Sequence, residues 1–559
     1  MNEIDPVFAA LTGPGAPFEI GERDGLRQFL SAPPDINMMI ESARRHGDKI
    51  FIVEDNDDGS QRRLTFAQVF AWRDQLVPML GIAKGDRVAI CMRNRAEWIV
   101  AFLAVIKAGG VAALFNSRGA PSELVGMIEE VTPALVLADS QRAALLREGG
   151  YTGRMLDLTH PFDEADIARR TEGAAGTSLS LAGPNDPCTI LFTSGTTGRV
   201  KGAVLSHRNL ITGLMAVQLS GMQVLHNVAR QMNLSVETLL QNSPQQAVLL
   251  VYPLFHISGL GSAFLSPLLA GSKVVIMRRW DADAALRLIE AERVTMFSGV
   301  PTMLWDVLNK ARLADADLSS LRNIGSGGQA LPVQLLDAIR AACPHAMFGT
   351  GYGMTECSGS IAQAVGEEFV RKPESAGRLL PMVDVRIEGP DGSALPVGEA
   401  GEIVVRGAQV MGGYWNRPED TAACLSGEGW LRTGDIGRID EEGYVFIVDR
   451  KKDMVISGGE NIYCAEVERV LAQMPGVAEC VAFGVPDERL GELLVAVVRC
   501  GDGADITEAA AMDWVAERLA RYKAPGKIGF VSEPMPRNHL DKLNKVAMRA
   551  RWVDIYGDA

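Results

Sequence analysis

Residues Thr189 to Asn209 read TILFTSGTTGRVKGAVLSHRN, and this stretch constrains the fold more than any other. Its opening, Thr189 to Phe192, is apolar and partly β-branched over a length that suits a buried strand. It runs at once into Thr193, Ser194, Gly195, Thr196, Thr197 and Gly198, where two glycines permit tight turns and four hydroxyls supply donors. Lys201 follows three residues after Gly198, near enough to set an ammonium against the same anion, and Ala203 to Leu205 reads as a returning strand. Such a loop at the end of a strand suits phosphate. It is not a G-x-x-x-x-G-K-[ST] loop, because that pattern does not occur in the chain.

The regions on either side alternate strand and helix signals. Phe51–Val53, Val88–Cys91, Val111–Phe115 and Ala134–Ala138 read as strands. Thr65 reads as the cap of a helix, and Ala96–Ala108 and Ser122–Val131 as helices between strands. Alternation of this kind predicts βαβ units and a parallel sheet. The pattern resumes beyond the loop in strands over Val274–Met277, Thr295–Ser298 and Leu321–Gly325 and a helix over Ala282–Ala291. Between them, Met215 to Gln246 is polar and permissive of helix, which predicts a surface helix.

From Asp384 onward the strands are short and separated by Gly-rich turns, the texture of a small β-rich subdomain. The charge run Asp449-Arg450-Lys451-Lys452-Asp453 has no apolar period and marks a boundary, after which about a hundred residues suffice for a small α+β domain. The fold class is therefore α/β: a large N-terminal domain of doubly wound sheets with a β-rich subdomain over 1–449, then a small domain over 450–559.

A net charge of −14 over 559 residues gives no basic footprint for nucleic acid or an acidic membrane surface. Eight cysteines without a C-x-x-C pair predict free thiols in a reducing cytoplasm. The acidic start, broken by Gly and Pro, predicts no signal peptide. Ala247–Ser272 is uncharged and long enough to span a bilayer, but its prolines and glycines break it into strand, loop and short helix.

Four further stretches lie downstream in order: Tyr352-Gly353-Met354-Thr355-Glu356, Gly429 to Asp435 (GWLRTGD), Asp449 to Asp453, and Pro536 to Lys542. With TSGTTGRVKG they resemble the motifs of the adenylate-forming superfamily, which comprises acyl-CoA synthetases, peptide-synthetase adenylation domains and beetle luciferases. The resemblance spans roughly residues 50 to 550. It implies that Thr193 to Gly198 and Lys201 hold the β- and γ-phosphates of ATP. Tyr352 resembles the ring stacked on adenine, Thr355 the hydroxyl near the α-phosphate and Glu356 the Mg²⁺ ligand. Gly328 and Gln329 resemble the loop facing adenine, Asp435 the ribose-binding carboxylate and Arg450 its helper. Lys542 matches the lysine that bridges carboxylate and α-phosphate, and Lys452 the hinge about which the small domain turns. The chain departs from the pattern at Asp541, where glycine is usual, and at Val200 and Cys464, where proline is usual. Lys545 lies three residues beyond Lys542, but the spacing from Pro536 favours Lys542.

Within the superfamily, the segment Phe255-His256-Ile257-Ser258 lacks the acidic residue that pairs with an amino-acid ammonium, and an uncharged wall suits an apolar acid. That acid, fatty or aryl, is expected beside His256, Gly327 and Gly351. Ser457 to Asn461 resembles the loop lining the pantetheine tunnel, with Gly458 and Gly459 allowing close approach. The Arg278-Arg279 pair suits either solvent or the phosphates of coenzyme A. The implied activity is an acyl-CoA synthetase using ATP, Mg²⁺ and CoA, with a homodimer compatible. A ligase loading a free-standing carrier protein, and a nucleotide-binding homologue impaired by Asp541, share nearly all these residues.

Overall fold

The computed structural model describes residues 6–55, 60–159, 182–194, 200–310, 313, 315–327, 333–457, 460–501, 503–537 and 543–556. Its contacts divide the chain into two units, Met1–Asp384 with Val405–Leu431, and Val385–Val404 with Arg432–Ala559.

The first unit is built on two large mixed sheets. In one, the strand order is Gly413–Tyr414, Val200–Ser206, Pro187–Ser194, Val111–Leu114, Arg87–Cys91, Leu135–Ala138 and Met155–Asp157. Its centre is parallel, as the alternation requires, and its hairpin edge is antiparallel. In the other, Asn323–Gly327, Met347–Met354, Met296–Gly299, Ala247–Leu250, Lys273–Met277 and Ile50–Asp55 are parallel, with antiparallel strands added at both edges. Strands buried on both faces, such as Val111–Leu114 and Leu135–Ala138, are apolar without alternation.

Helix Ala96–Lys107 is buried along almost its whole length, which its all-round apolar sequence dictates. Trp98 and Phe102 meet Phe264 edge-on, with ring centroids 6.3 and 5.8 Å away. The expected cap at Thr65 is a full capping box with Gln68, opening helix Phe66–Leu80. Among the described residues, no helix is long and apolar enough to cross a membrane. Ala247–Ser272 resolves into a strand, a loop, the π-helix Ser258–Leu265 and the helix Ser266–Ala270.

The interval expected as a surface helix, Met215–Gln246, is helical to Gln231 and again over Val236–Asn242 and mostly part-exposed or exposed, but the first helix begins before it. Helix His207–Gln231 starts earlier, capped by Ser206, and its first half is buried. The cause is tertiary: Asn209 Nδ2 donates to the carbonyls of Ala408 and Val410, both at 2.8 Å, so this end is fixed to a distant segment.

The second unit contains a four-stranded sheet in the order Val383–Glu388, Gly401–Gly407, Leu431–Ile439, Val445–Arg450. A further sheet pairs the long strands Val477–Asp487 and Gly491–Cys500, covered by helices Cys464–Ala472 and Glu508–Ala516. Its opposite face packs Phe483 and Val497 against Met548 and Trp552 of the C-terminal helices.

Candidate active site

In the first unit, the hairpin made by Pro187–Ser194 and Val200–Ser206 places Lys201 directly across from Thr193. The glycine-hydroxyl run starts at the end of the first of these strands, and Gly195, Thr196, Thr197 and Gly198 lie outside the described residues. Gly328, Gln329, Gly458, Gly459 and Lys542 also lie outside them.

The Lys201 ammonium is 15 % exposed and pairs with Asp420 at 2.5 Å. It sits over the Tyr414 ring, 5.4 Å from its centroid. Tyr414 is brought there because Gly413–Tyr414 adds an edge strand to Val200–Ser206, and its hydroxyl donates to Glu356 Oε1 at 2.8 Å. Burial, and then the Glu356 charge beside it, push the Tyr414 phenol up, so it stays protonated and can donate.

Glu356 is buried in the 3-10 turn Thr355–Cys357 that ends the strand Met347–Met354. Tyr352 lies in that strand, opposite Ala362. The turn is fixed from segment 408–411. Met411 N–H donates to the Glu356 carbonyl at 2.8 Å, and Gln409 Nε2 to the carbonyls of Cys357 and Ser360. One cluster therefore unites the Lys201 hairpin with the Thr355-Glu356 turn. Tyr414, Asp420 and Gln409, which complete it, were not singled out in the sequence; the signal was the run Gly-Tyr-Trp-Asn-Arg-Pro-Glu-Asp, a turn entering the helix Pro418–Cys424.

Gly327 and Gly351 are register partners on adjacent strands. A Cβ at Gly327 would meet nothing within 4 Å, and one at Gly351 would meet the Ala362 carbonyl only at 3.5 Å. Ile324 and Phe348, at alternating positions, enter the core on the other face, so the two glycines leave open a patch of the sheet's opposite side. His256 lies in the loop leading to the π-helix, its ring 4.6 Å from that of Phe255. The loop is pulled tight at Gly259, where any Cβ would sit 2.1 Å from the Pro253 carbonyl oxygen.

In the second unit, Asp435 and Arg450 face each other in register on neighbouring strands, the guanidinium 3.7 Å from the carboxylate. The Asp435 N–H donates to Thr433 Oγ1 at 3.1 Å. Lys452 is exposed in the turn just beyond Arg450, where Asp453 N–H donates to the Arg450 carbonyl at 2.9 Å. Lys545 is not a free lysine: its ammonium pairs with Glu468 at 2.8 Å. Burial opposes the charge, but the Glu468 carboxylate outweighs it and pushes the Lys545 ammonium up.

The AMP-binding enzyme family model matches residues 39–415, and the model of its C-terminal domain matches residues 466–542. The chain belongs to this family. Within it, the chain stands among acyl- and aryl-CoA ligases. It is 38% identical to a feruloyl-CoA synthase from Amycolatopsis, over 84% of this chain and 90% of that one. It is 34% identical to a long-chain-fatty-acid–CoA ligase from Mycobacterium tuberculosis, over 88% and 93%. Among solved structures, ATP-bound MatB from Rhodopseudomonas palustris matches with a TM-score of 0.78 and 31% identity, over 93% of this chain and all of that one. The Bacillus subtilis o-succinylbenzoate-CoA synthetase with its acyl-adenylate matches with a TM-score of 0.76 and 30% identity, over 93% and 99%.

Proposed function

We propose that this enzyme joins an apolar carboxylic acid, fatty or aryl, to AMP with release of pyrophosphate, and then transfers the acyl group to coenzyme A. The observation that carries the choice of acid is the register pair Gly327–Gly351, which leaves side-chain space open on the sheet; the segment from Pro253 to Ser258, expected at the same acid, carries no charged residue. The reaction is supported by the ligase relatives on both sides of that choice, feruloyl and long-chain fatty acyl.

Lys201, with the loop Thr193 to Gly198, supplies a positive charge and donors for the β- and γ-phosphates of ATP. Glu356 offers hard oxygen donors that suit Mg²⁺, and Tyr414 holds that carboxylate in place. Bound there, Mg²⁺ offsets phosphate charge. Asp435, aligned by Arg450, accepts from the two ribose hydroxyls. Lys542 bridges carboxylate and α-phosphate, and the small domain, with its boundary at 449–450, turns about Lys452 between the half-reactions. The junction between the two family models, 416–465, contains that boundary. Eight free cysteines fit a cytoplasmic setting.

The test is AMP release from a panel of carboxylic acids with and without CoA. Release that prefers long-chain or aryl acids and depends on CoA is expected. A preference for amino acids or short hydroxy acids overturns the substrate reading, and release that needs a pantetheinylated carrier protein instead of CoA overturns the acceptor.

A further inference from the structure

The row of the sheet that holds Gly327 and Gly351 continues across a third strand. Gly327 is in register with Gly351, and Gly351 with Gln363 on the antiparallel strand Gly359–Val365. Residues directly opposite each other in a sheet turn their side chains to the same face. Ala364, next to Gln363, enters the same core as Ile324 and Phe348, so Gln363 stands on the other face, with the two glycines. Two strand spacings separate Gly327 from Gln363, roughly 10 Å.

The adjacent row on this face is Ser298, Gly325, Gly349 and Val365, and it is occupied. Ser298 Oγ lies 2.6 Å from where a Cβ at Gly325 would be, and Val365 Cγ2 lies 3.2 Å from where one at Gly349 would be. Nothing comes that close over Gly327 or Gly351. The open floor therefore runs along the row, across the strands toward Gln363, and not down the strands as a long channel would.

Gln363 closes that floor with a polar group. Its Oε1 is buried and has no hydrogen-bond partner among the described residues. A buried polar atom left in this state is costly unless something else supplies the partner. Ser360, on the same strand, adds a second polar atom, its Oγ 3.9 Å from where a Cβ at Gly351 would be. A hydroxyl both donates and accepts, so it satisfies the amide whichever of its two ends faces the floor. An alkyl chain satisfies neither.

We propose that Gln363 is a specificity-determining residue that pairs with a hydroxyl at the end of the acid remote from its carboxylate, so that the preferred acid is an aryl acid carrying a ring hydroxyl. This rests on the reading that the acid lies over Gly327 and Gly351. Gly327 runs directly into Gly328 and Gln329, the candidates for the adenine side, so the carboxylate belongs at that end of the row and Gln363 meets the far end. A flat ring on a short carboxylated arm suits a floor bare of side chains and closed in the next row. A site that hydrogen-bonds a substrate hydroxyl rejects the analogue lacking it far better than an apolar pocket rejects an added methylene.

Pyrophosphate exchange by the full-length protein decides it, with cinnamic and 4-hydroxycinnamic acid, benzoic and 4-hydroxybenzoic acid, and decanoic acid as a chain without a ring. Wild type should favour the hydroxylated member of at least one pair by about tenfold or more in kcat/KM. In Gln363→Met and Gln363→Leu, which keep most of the side chain's volume, that preference should shrink to about twofold or less through a higher KM for the hydroxylated acid, with KM for ATP unchanged. The unhydroxylated acid should be used as well as before or better. No preference in wild type overturns the proposal, as does a preference that persists in either folded variant or an equal loss with both members of a pair. A wild type that prefers decanoic acid to all four aryl acids also overturns it, while the ligase reading stands for a fatty acid. A preference for amino acids or short hydroxy acids overturns that reading and this proposal together.

Discussion

The Tyr414 hydroxyl donates to the Glu356 carboxylate across 2.8 Å, although the two residues stand 58 positions apart. A hydrogen bond to a charged, buried acceptor is worth about 1.5–3 kcal/mol. Tyr414→Phe should therefore let Glu356 reorient and lower kcat/KM for Mg·ATP about ten- to a hundredfold, measured by pyrophosphate exchange. Wild-type kinetics in a folded variant would make the contact structural only.

Lys201 is paired with Asp420, so a phosphate has to compete with a carboxylate for the ammonium. Lys201→Ala should weaken ATP dependence or slow adenylation, while Asp420→Asn should lower KM for ATP several-fold. An unchanged ATP dependence in Lys201→Ala would remove that residue from the phosphate site.

Local signals were legible where local physics sets the structure. The cap at Thr65, the helix Ala282–Ala291 and the hairpin around the glycine-hydroxyl loop all lie where periodicity and turn residues place them. The strand Leu431–Ile439, which carries Asp435, was not read, because LRTGDIGRI alternates poorly and contains two glycines; its neighbouring strands supply the order. Long-range partners were equally hidden. Nothing near Glu356 in sequence announces Tyr414, and nothing near Lys201 announces Asp420. The start of helix His207–Gln231 depended on carbonyls two hundred positions away, at Ala408 and Val410.

His207 gives a pH-dependent test of that helix. Its Nδ1 accepts the Ile36 N–H at 3.2 Å, which requires a neutral ring, and burial pushes its pKa below the usual 6.5 despite the charges of Asp35 and Asp186. A depressed folded-state value means that the stability is fully present above about pH 6.5 and is lost as pH falls through the lower folded value. Thermal midpoints between pH 8 and pH 5 should fall less steeply in His207→Gln than in wild type. Parallel curves would show that the ring does not titrate with unfolding.

Lys452 offers a clean test of reorientation. Among the described residues no carbonyl accepts its N–H, so Lys452→Pro removes no backbone hydrogen bond and acts by fixing φ near −65°. Adenylation and thioester formation, assayed separately, should be affected unequally. Equal loss in a folded variant would count against a hinge at this residue.

Lys542 and Lys545 can be told apart by separating loss of stability from loss of rate. Lys545 starts the helix Lys545–Ala550, and its pairing with Glu468 fixes that helix to Cys464–Ala472; the two side chains are each 22 % exposed. Removing it strands a mostly buried carboxylate, a loss of roughly 2 kcal/mol, between an exposed pair and a fully buried one. Lys545→Ala should lower the melting temperature and depress both half-reactions only as far as the folded fraction falls. Lys542→Ala should leave stability unchanged and lose adenylation by about a hundred- to a thousandfold, because two anions then meet without a bridging charge. It should still convert supplied acyl-AMP and CoA to thioester, since the adenylate already carries its leaving group. If Lys545→Ala loses adenylation in the folded state while Lys542→Ala keeps it, the bridging charge belongs to Lys545, and the Glu468 pair must break in every turnover.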